Sequence, residues 1–314
     1  MFIEGLLTML GGFEMKLKLP IDYDAKLDTK TTLIAVTQIK DSFEKVFYRV
    51  FKFQKISAPL IIPNESSSSW LRYSLKKYGF DCEDGVYTSM ICYNSQKEIY
   101  HNFYSKFLDR WQFEKIISSD EENIQTLNDM AEQIFTIVKI TESYINDVYP
   151  ILTRFLPMEL KFITLDELNR LYPDDTPMQR EEKIAYQYKA VFITKTESCF
   201  DDKNQNYHDW YFSGKLIAWY PILDCVFEIA KMGIRANDEE SDENIEETGV
   251  TLYGDVDSKT KDNEKEKTYS IGGVVGMSRL CMFLLGKAHI GEVQSLTNDD
   301  DIVEECKRAN INLL

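Results

Sequence analysis

The sequence of 314 residues predicts an α+β protein, in which an antiparallel β-sheet is flanked by helices. Two long segments have the apolar spacing of amphipathic helices. The strand-like segments are rich in β-branched and aromatic residues, and several follow one another without the intervening helix that a doubly wound parallel sheet requires. With 44% hydrophobic and 13% aromatic residues, the chain can bury a large core.

The helices are predicted from apolar residues three and four positions apart and from their end signals. Gly79 and Pro150 each mark a helix end, and Thr164 followed by Glu167 is a capping box that opens a short helix. The predicted helices cover residues 31–53, 70–78, about 122–149, and the short DELNRLY segment that ends before Pro173.

The strands are predicted from runs of β-branched and aromatic residues. The runs at 85–93 and 104–113 are expected to pair as an antiparallel hairpin. The other predicted strands are a short one ending at Pro59 or Pro63, those at 190–195, 214–220 and 225–230, and a glycine-rich strand that turns into a helix at Ser278.

The net charge of −16 argues against a nucleic-acid partner, because binding phosphates requires a basic surface. Half of the acidic excess lies in residues 236–268, which contain 12 acidic residues and 4 lysines. We expect this segment to be a surface insertion within a single domain. It is either a solvated loop or a gate that repels anions from a pocket.

The cysteines and histidines give no metal or redox motif. The six cysteines are dispersed, with none in a CxxC pair, and only three histidines are present. Glu4 interrupts the apolar start of the chain, and no stretch is long and apolar enough to span a membrane. We therefore expect a cytoplasmic protein with free thiols and no membrane partner.

Three segments combine charged residues with a glycine-rich, apolar or alternating pattern. In GGVVGMSR (272–279) the glycines allow close approach, either for packing or for a ligand, and Arg279 in the first helical turn could contact a phosphate. In FEIAKMGIR (227–235) Glu228 interrupts an apolar strand, so it is either paired or faces a site. The DRWQFE segment (109–114) alternates Asp109 and Trp111 with Arg110 and Gln112 on the opposite face.

Taken in order, these elements resemble the catalytic core of class II aminoacyl-tRNA synthetases, with the three signature motifs at 38–63, 85–113 and 271–286. The sequence resembles more closely the ammonia-dependent asparagine synthetases, or aspartate-ammonia ligases, which have this core without a tRNA-binding domain. The segments that carry the resemblance are APL (58–60), KYGF (77–80), GVYTSM (85–90), DRWQFE (109–114), FITLDELNRLYPD (162–174), YHDW (207–210), FEIAKMGIR (227–235), IGGVVGMSRLCMFLL (271–285) and HIGEVQ (289–294).

This resemblance implies that L-aspartate, ammonia and ATP are converted to L-asparagine, AMP and pyrophosphate through a β-aspartyl adenylate. It implies ATP and Mg²⁺ as cofactors and a homodimer formed through the helix at 31–53 and the strand to Pro63. The expected organisation is one class II synthetase-like domain over 1–314, with an N-terminal extension at 1–29 and the acidic insertion at 236–268.

The resemblance also implies roles for individual residues. Arg279 and Arg235 correspond to catalytic arginines, and Glu228 to a carboxylate at the ATP and metal site. Asp209, Arg72 and Ser66 are expected to bind the substrate, and Gly273 and Gly276 to lie against ATP.

Several positions depart from the family pattern. Leu71 and Asn94 occupy positions of a substrate-binding lysine and a phosphate-binding arginine, and Arg110 and Gln112 replace a glutamine and an aspartate. Lys215 replaces an aspartate expected near Mg²⁺, so it either weakens metal binding or faces phosphate in place of the metal. The alternative hypothesis is therefore a catalytically degenerate paralogue that acts as a dimeric scaffold or ligand sensor.

Overall fold

The computed structural model describes residues 17–20, 22–58, 62–63, 67–93, 101–103, 105–195, 210–236, 269–295 and 300–314. The helices are α1 (Thr29–Phe51), α2 (Ser67–Lys77), α3 (Ile124–Val148), α4 (Leu165–Leu171), α5 (Pro177–Tyr188), α6 (Met277–Leu284) and α7 (Asp300–Arg308). The strands are β1 (Gln54–Lys55), β2 (Ile62–Pro63), β3 (Gly85–Tyr93), β4 (Phe107–Ile117), β5 (Lys161–Thr164), β6 (Ala190–Lys195), β7 (Trp210–Tyr220), β8 (Cys225–Ala236) and β9 (Tyr269–Gly276).

In the described part of the chain these strands form one mixed sheet in the order β1-β3-β4-β9-β8-β7-β6-β5, with β2 also paired to β3. The pairs in the middle of the sheet, from β3 to β6, are antiparallel, whereas β1, β2 and β5 pair in parallel at the edges. The predicted α+β class with a predominantly antiparallel sheet is confirmed.

The predicted hairpin is confirmed, since β3 and β4 pair antiparallel from Gly85–Lys115 to Tyr93–Phe107. The predicted capping box is also present at the start of α4, where Thr164 and Glu167 bond each other's backbone. Strands β7 and β8 are longer than predicted, and the prediction misses α5, α7 and the short β5.

One face of the sheet is buried beneath α1, α3 and α6. Its largest side chains form one apolar cluster, in which Trp111 and Phe113 of β4 contact Phe47 of α1. At the end of this face Lys40 of α1 donates to the carboxylate of Asp109. We call this side of the sheet the core face.

The opposite face of the sheet is covered only in part. At one end α2 packs against β3 and β4 through an apolar cluster that includes Leu71, Leu75 and Val86. At the other end α4 and α5 pack against β5, β6 and β7 through a second cluster that includes Leu168, Ile184 and Ile217. Between these clusters the middle strands present polar and charged residues, and we call this surface the site face.

The chain before α1 is joined to the segment after α6 by a buried hydrogen-bond network. The Tyr23 hydroxyl and the backbone N–H groups of Ala288 and His289 all donate to the carboxylate of Glu292. Lys287 is buried beside it and donates to the carbonyl of Leu27 at 2.9 Å. The HIGEVQ segment therefore has a structural role.

Among the described residues, no helix is both long and apolar enough to cross a bilayer.

The glycines of β9 differ in the space around them. A Cβ on Gly273 would point toward the core face, 2.7 Å from the carbonyl oxygen of Lys231 and 2.8 Å from the ring of Phe113. A Cβ on Gly276, just before α6, would lie 3.5 Å from the nearest atom, which belongs to Arg279. Gly273 is therefore required by packing, and Gly276 is not.

We predict that Gly273→Ala lowers the free energy of unfolding by about 2 kcal/mol, because overpacking a close-packed core forces side chains and backbone to shift. Gly276→Ala is the matched control, with a loss below about 0.5 kcal/mol. Urea unfolding followed by circular dichroism measures both. Equal losses for the two variants would show that the strand has room at Gly273.

Candidate active site

The floor of the candidate site is a row of residues across the site face that includes two adjacent glycines. Glu114 of β4, Gly272 of β9, Gly233 of β8 and Ser213 of β7 lie side by side in register. Because two adjacent members lack a side chain, larger groups on the neighbouring rows can reach over them. We call the region above this row, between the cluster under α2 and the cluster under α4 and α5, the cleft.

A buried ion pair crosses this floor. The Arg235 Nη1 atom lies 3.6 Å from Glu114 Oε2, and both side chains are only 2% exposed. Ser270 donates to Glu114 Oε1 at 2.7 Å. A Cβ on Gly272 would lie 1.9 Å from Glu114 Oε2, so the carboxylate occupies the space left by that glycine. Glu114 on β4 thus reaches across β9 to pair with the guanidinium of Arg235 on β8.

The next row along the site face contains two lysines, and we call it the charged row. It runs through Gln112 of β4, Val274 of β9, Lys231 of β8 and Lys215 of β7. A bulge at Ile229 turns Glu228 to the same side as Lys231, and their charged groups lie 3.3 Å apart. The predicted Glu228 and the unexpected lysines therefore share one surface.

Glu228 is surrounded by positive charge. Burial opposes ionisation of this carboxyl group, but the charges of Lys231, Arg279 and Lys215 outweigh it and hold the pKa of Glu228 below its usual range. Lys215 donates to Glu181 of α5 at 2.7 Å, which ties the helix to the charged row. Lys231, Arg279 and Lys215 therefore all lie within electrostatic reach of Glu228.

Arg279 stands in the first turn of α6, directly after β9. Its side chain packs alongside Gly276, and Gly276 is in register with Arg110 of β4. Arg279, Glu228 and Gly276, three of the residues that the resemblance implies for the site, therefore lie near one another, and Arg235 lies on the same face further along β8.

Of the other predicted site residues, Arg72 lies on a different element, and several lie outside the described residues. Arg72 is buried on α2, and its neighbour Leu71 packs with Leu75 and Val86. Asp209, Ser66, Asn94 and the acidic segment from 237 to 268 lie outside the described residues.

The described residues do not fit a protein-bound Mg²⁺ ion. Mg²⁺ requires oxygen ligands in octahedral geometry and is usually held by one or two carboxylates together with phosphates. The carboxylate of Glu228 is already paired with Lys231, and that of Glu181 with Lys215, so both carboxylates of this surface are held by cations. The two lysines beside Glu228 would also repel a divalent ion.

Comparison with known proteins decides the family. The sequence model of the family described as aspartate-ammonia ligase matches residues 64–310. The chain belongs to the aspartate-ammonia ligase family. The aspartate-ammonia ligase of Ruminiclostridium cellulolyticum is 33% identical, covering 94% of this chain and 98% of that protein. That of Lactobacillus johnsonii is 35% identical, covering 96% of this chain and 100% of that protein.

Solved structures agree on the fold. The asparaginyl-tRNA synthetase of Entamoeba histolytica, in complex with asparaginyl-adenylate, superposes with a TM-score of 0.55 at 16% identity. The match covers 85% of this chain and 66% of that one. The aspartyl tRNA synthetase of the same organism gives a TM-score of 0.56 at 16% identity, covering 86% of this chain and 59% of that one. The predicted class II synthetase-like core is therefore confirmed.

Membership in the ligase family confirms the resemblance on which the prediction of function rests. The alternative of a catalytically degenerate paralogue receives no support from the matches, since the relatives from both organisms are named as ligases.

The predicted site does not include Glu114, Ser270 or Glu181. A signal for Glu114 exists in the sequence, because DRWQFE alternates and Glu114 must share a face with Arg110 and Gln112. For Ser270 and Glu181 no comparable signal exists, because their partners come from distant strands.

We predict that Glu114→Gln lowers the free energy of unfolding by about 3 kcal/mol, since it removes the buried charge that offsets Arg235 while keeping the side-chain shape. Ser270→Ala, which removes one hydrogen bond to the same carboxylate, should cost about 1 kcal/mol. Thermal and urea unfolding measure both. A Glu114→Gln variant as stable as the wild-type protein would show that the pair does not stabilise the sheet.

Proposed function

We propose that this protein is an aspartate-ammonia ligase that forms L-asparagine from L-aspartate, ammonia and ATP, with release of AMP and pyrophosphate. The observation that carries the proposal is the buried Arg235, held by Glu114 on the site face of a chain that belongs to this family. A buried guanidinium in a cleft is suited to bind a carboxylate of aspartate through two parallel hydrogen bonds.

The proposed reaction has two steps. In the first, an oxygen of the aspartate β-carboxylate attacks the α-phosphorus of ATP, and the bond from that phosphorus to the pyrophosphate oxygen breaks. In the second, the nitrogen of ammonia attacks the β-acyl carbon of the adenylate, AMP leaves, and one proton is released to solvent. Both steps depend on positioning and on stabilising developing negative charge.

Each site residue has a proposed role in these steps. Arg235 orients aspartate, and Arg279 stabilises negative charge on the phosphates. Asp209, Ser66 and Arg72 are proposed to contribute to aspartate binding. Gly273 and Gly276 are proposed to let the backbone lie beside the nucleotide. The family resemblance implies Mg²⁺ at Glu228, but we assign no step to a metal there, because the surrounding lysines do not suit one.

We also propose that the reaction takes place in the cytoplasm. The described cysteines are all free, and Cys92, Cys225, Cys281 and Cys306 are buried thiols. Free buried thiols are typical of proteins from reducing compartments.

Pyrophosphate–ATP exchange tests the proposal, because it detects the adenylate without ammonia. We expect exchange that depends on L-aspartate, and asparagine formation when ammonium is added. Arg235→Lys should lower kcat/KM for aspartate by about 100-fold, because lysine lacks the planar fork. The control is the exposed Arg154→Lys, which should have no effect. Absence of aspartate-dependent exchange in the folded wild-type protein would refute the proposed function.

A homodimer is the proposed assembly. The outer side of α1 exposes Leu33, Ile34 and Tyr48, and the adjacent α3 exposes Ile140 and Tyr144. Apolar side chains exposed on neighbouring helices commonly mark a protein interface. A second copy of the chain would cover them.

We predict that Ile34→Asp converts the dimer to a monomer in sedimentation equilibrium, since a buried carboxylate without a partner opposes association. Leu171→Asp on α4, at a similarly exposed apolar position, should leave the mass unchanged. A wild-type protein that sediments as a monomer would contradict the proposed assembly.

A further inference from the structure

Lys215 and Lys231 stand directly opposite each other on β7 and β8. Side chains at opposed positions of an antiparallel pair have Cβ atoms about 5 Å apart, and like charges there destabilise the sheet. Each lysine is partly offset by a carboxylate: Lys215 by Glu181 at 2.7 Å, and Lys231 by Glu228 at 3.3 Å. The sheet therefore tolerates two adjacent cations on its site face.

Arg279 adds a third positive charge to the same surface. It lowers the pKa of Glu228 alongside both lysines, so its guanidinium is within electrostatic reach of that carboxylate. Lys215, Lys231 and Arg279 therefore share one surface. A polyphosphate is the kind of ligand that a group of cations attracts.

We propose that Lys215 and Lys231, together with Arg279, bind the polyphosphate of the nucleotide directly, and that these side chains replace a carboxylate-held divalent cation. The inference rests on the proposed function, since it concerns the phosphates of the same ATP.

The side chains have the chemistry that this role requires. An ammonium group carries three N–H donors, so Lys215 can keep its bond to Glu181 and also donate to a phosphate oxygen. Lysine binds phosphate as a compact point charge, whereas Arg279 can bind two oxygens of one phosphate. Lys215 and Lys231 are 29% and 37% exposed, which leaves both accessible from the cleft.

The wild-type protein provides the first test. Isothermal titration calorimetry with ATP is run once in excess chelator and once in excess Mg²⁺. We expect binding in chelator, with an affinity within about threefold of that in Mg²⁺. Binding that occurs only with Mg²⁺ would overturn this inference and leave the proposed function intact. Absence of binding under both conditions would overturn both.

Neutral variants provide the second test. In chelator, Lys215→Gln and Lys231→Gln should each weaken ATP binding by about tenfold, as expected for the loss of one charge-assisted hydrogen bond. Inorganic tripolyphosphate should compete with ATP for the wild-type protein. Its affinity should fall by the same factor of about ten on each variant. Lys183→Gln is the matched control, because Lys183 lies on α5 and is paired with Asp175. Equal affinities for all four proteins would overturn the inference.

A charge reversal provides the third test. Lys215→Asp should abolish ATP binding in chelator and make it dependent on added Mg²⁺, since an aspartate next to Glu181 and Glu228 supplies the oxygen ligands that a metal prefers. Circular dichroism and the thermal midpoint establish that the variant is folded. A folded Lys215→Asp protein that binds ATP in chelator as tightly as the wild-type protein would contradict the role of Lys215.

Discussion

The buried pair between Glu114 and Arg235 is the constraint on which the site depends. Burying two charges costs several kcal/mol unless they meet each other and other polar groups, and here Ser270 supplies a further hydrogen bond. The pair can close only because Gly272 leaves room for the carboxylate between the two strands. The pair therefore spans β9, which lies between β4 and β8, and it covers the glycine in the middle of the site face.

The two faces of the sheet have separate tasks. The core face is close-packed with aromatic and aliphatic residues from β4, α1 and α6, and it supplies the rigidity that positioning requires. The site face holds its charges in pairs, with Glu181 and Glu228 next to Lys215 and Lys231. A rigid support beneath a charged surface is the arrangement that electrostatic catalysis needs, because the charges do not have to reorganise when the substrate reacts.

Local patterns in the sequence predicted most of the elements but not how distant strands meet. Apolar spacing identifies α1 and α3, and alternation in DRWQFE identifies the two faces of β4. Helix α5 was missed although Thr176, Pro177 and Gln179 form a clear start signal. The pairing of Glu114 with Arg235 could not be predicted, because it depends on a long-range register and not on any local preference. For the same reason, the sequence could not predict that Lys215, Lys231 and Arg279 lie near Glu228.

In the proposed reaction, this cleft activates aspartate by transferring AMP to its β-carboxylate. Incubation with ATP, ammonium and L-aspartate labelled with ¹⁸O in the β-carboxylate tests the claim most directly, with mass spectrometry of the products. An adenylate requires one ¹⁸O atom in the phosphate of AMP for each asparagine formed. Label in inorganic phosphate or pyrophosphate, or asparagine formed with unlabelled AMP, would contradict the account.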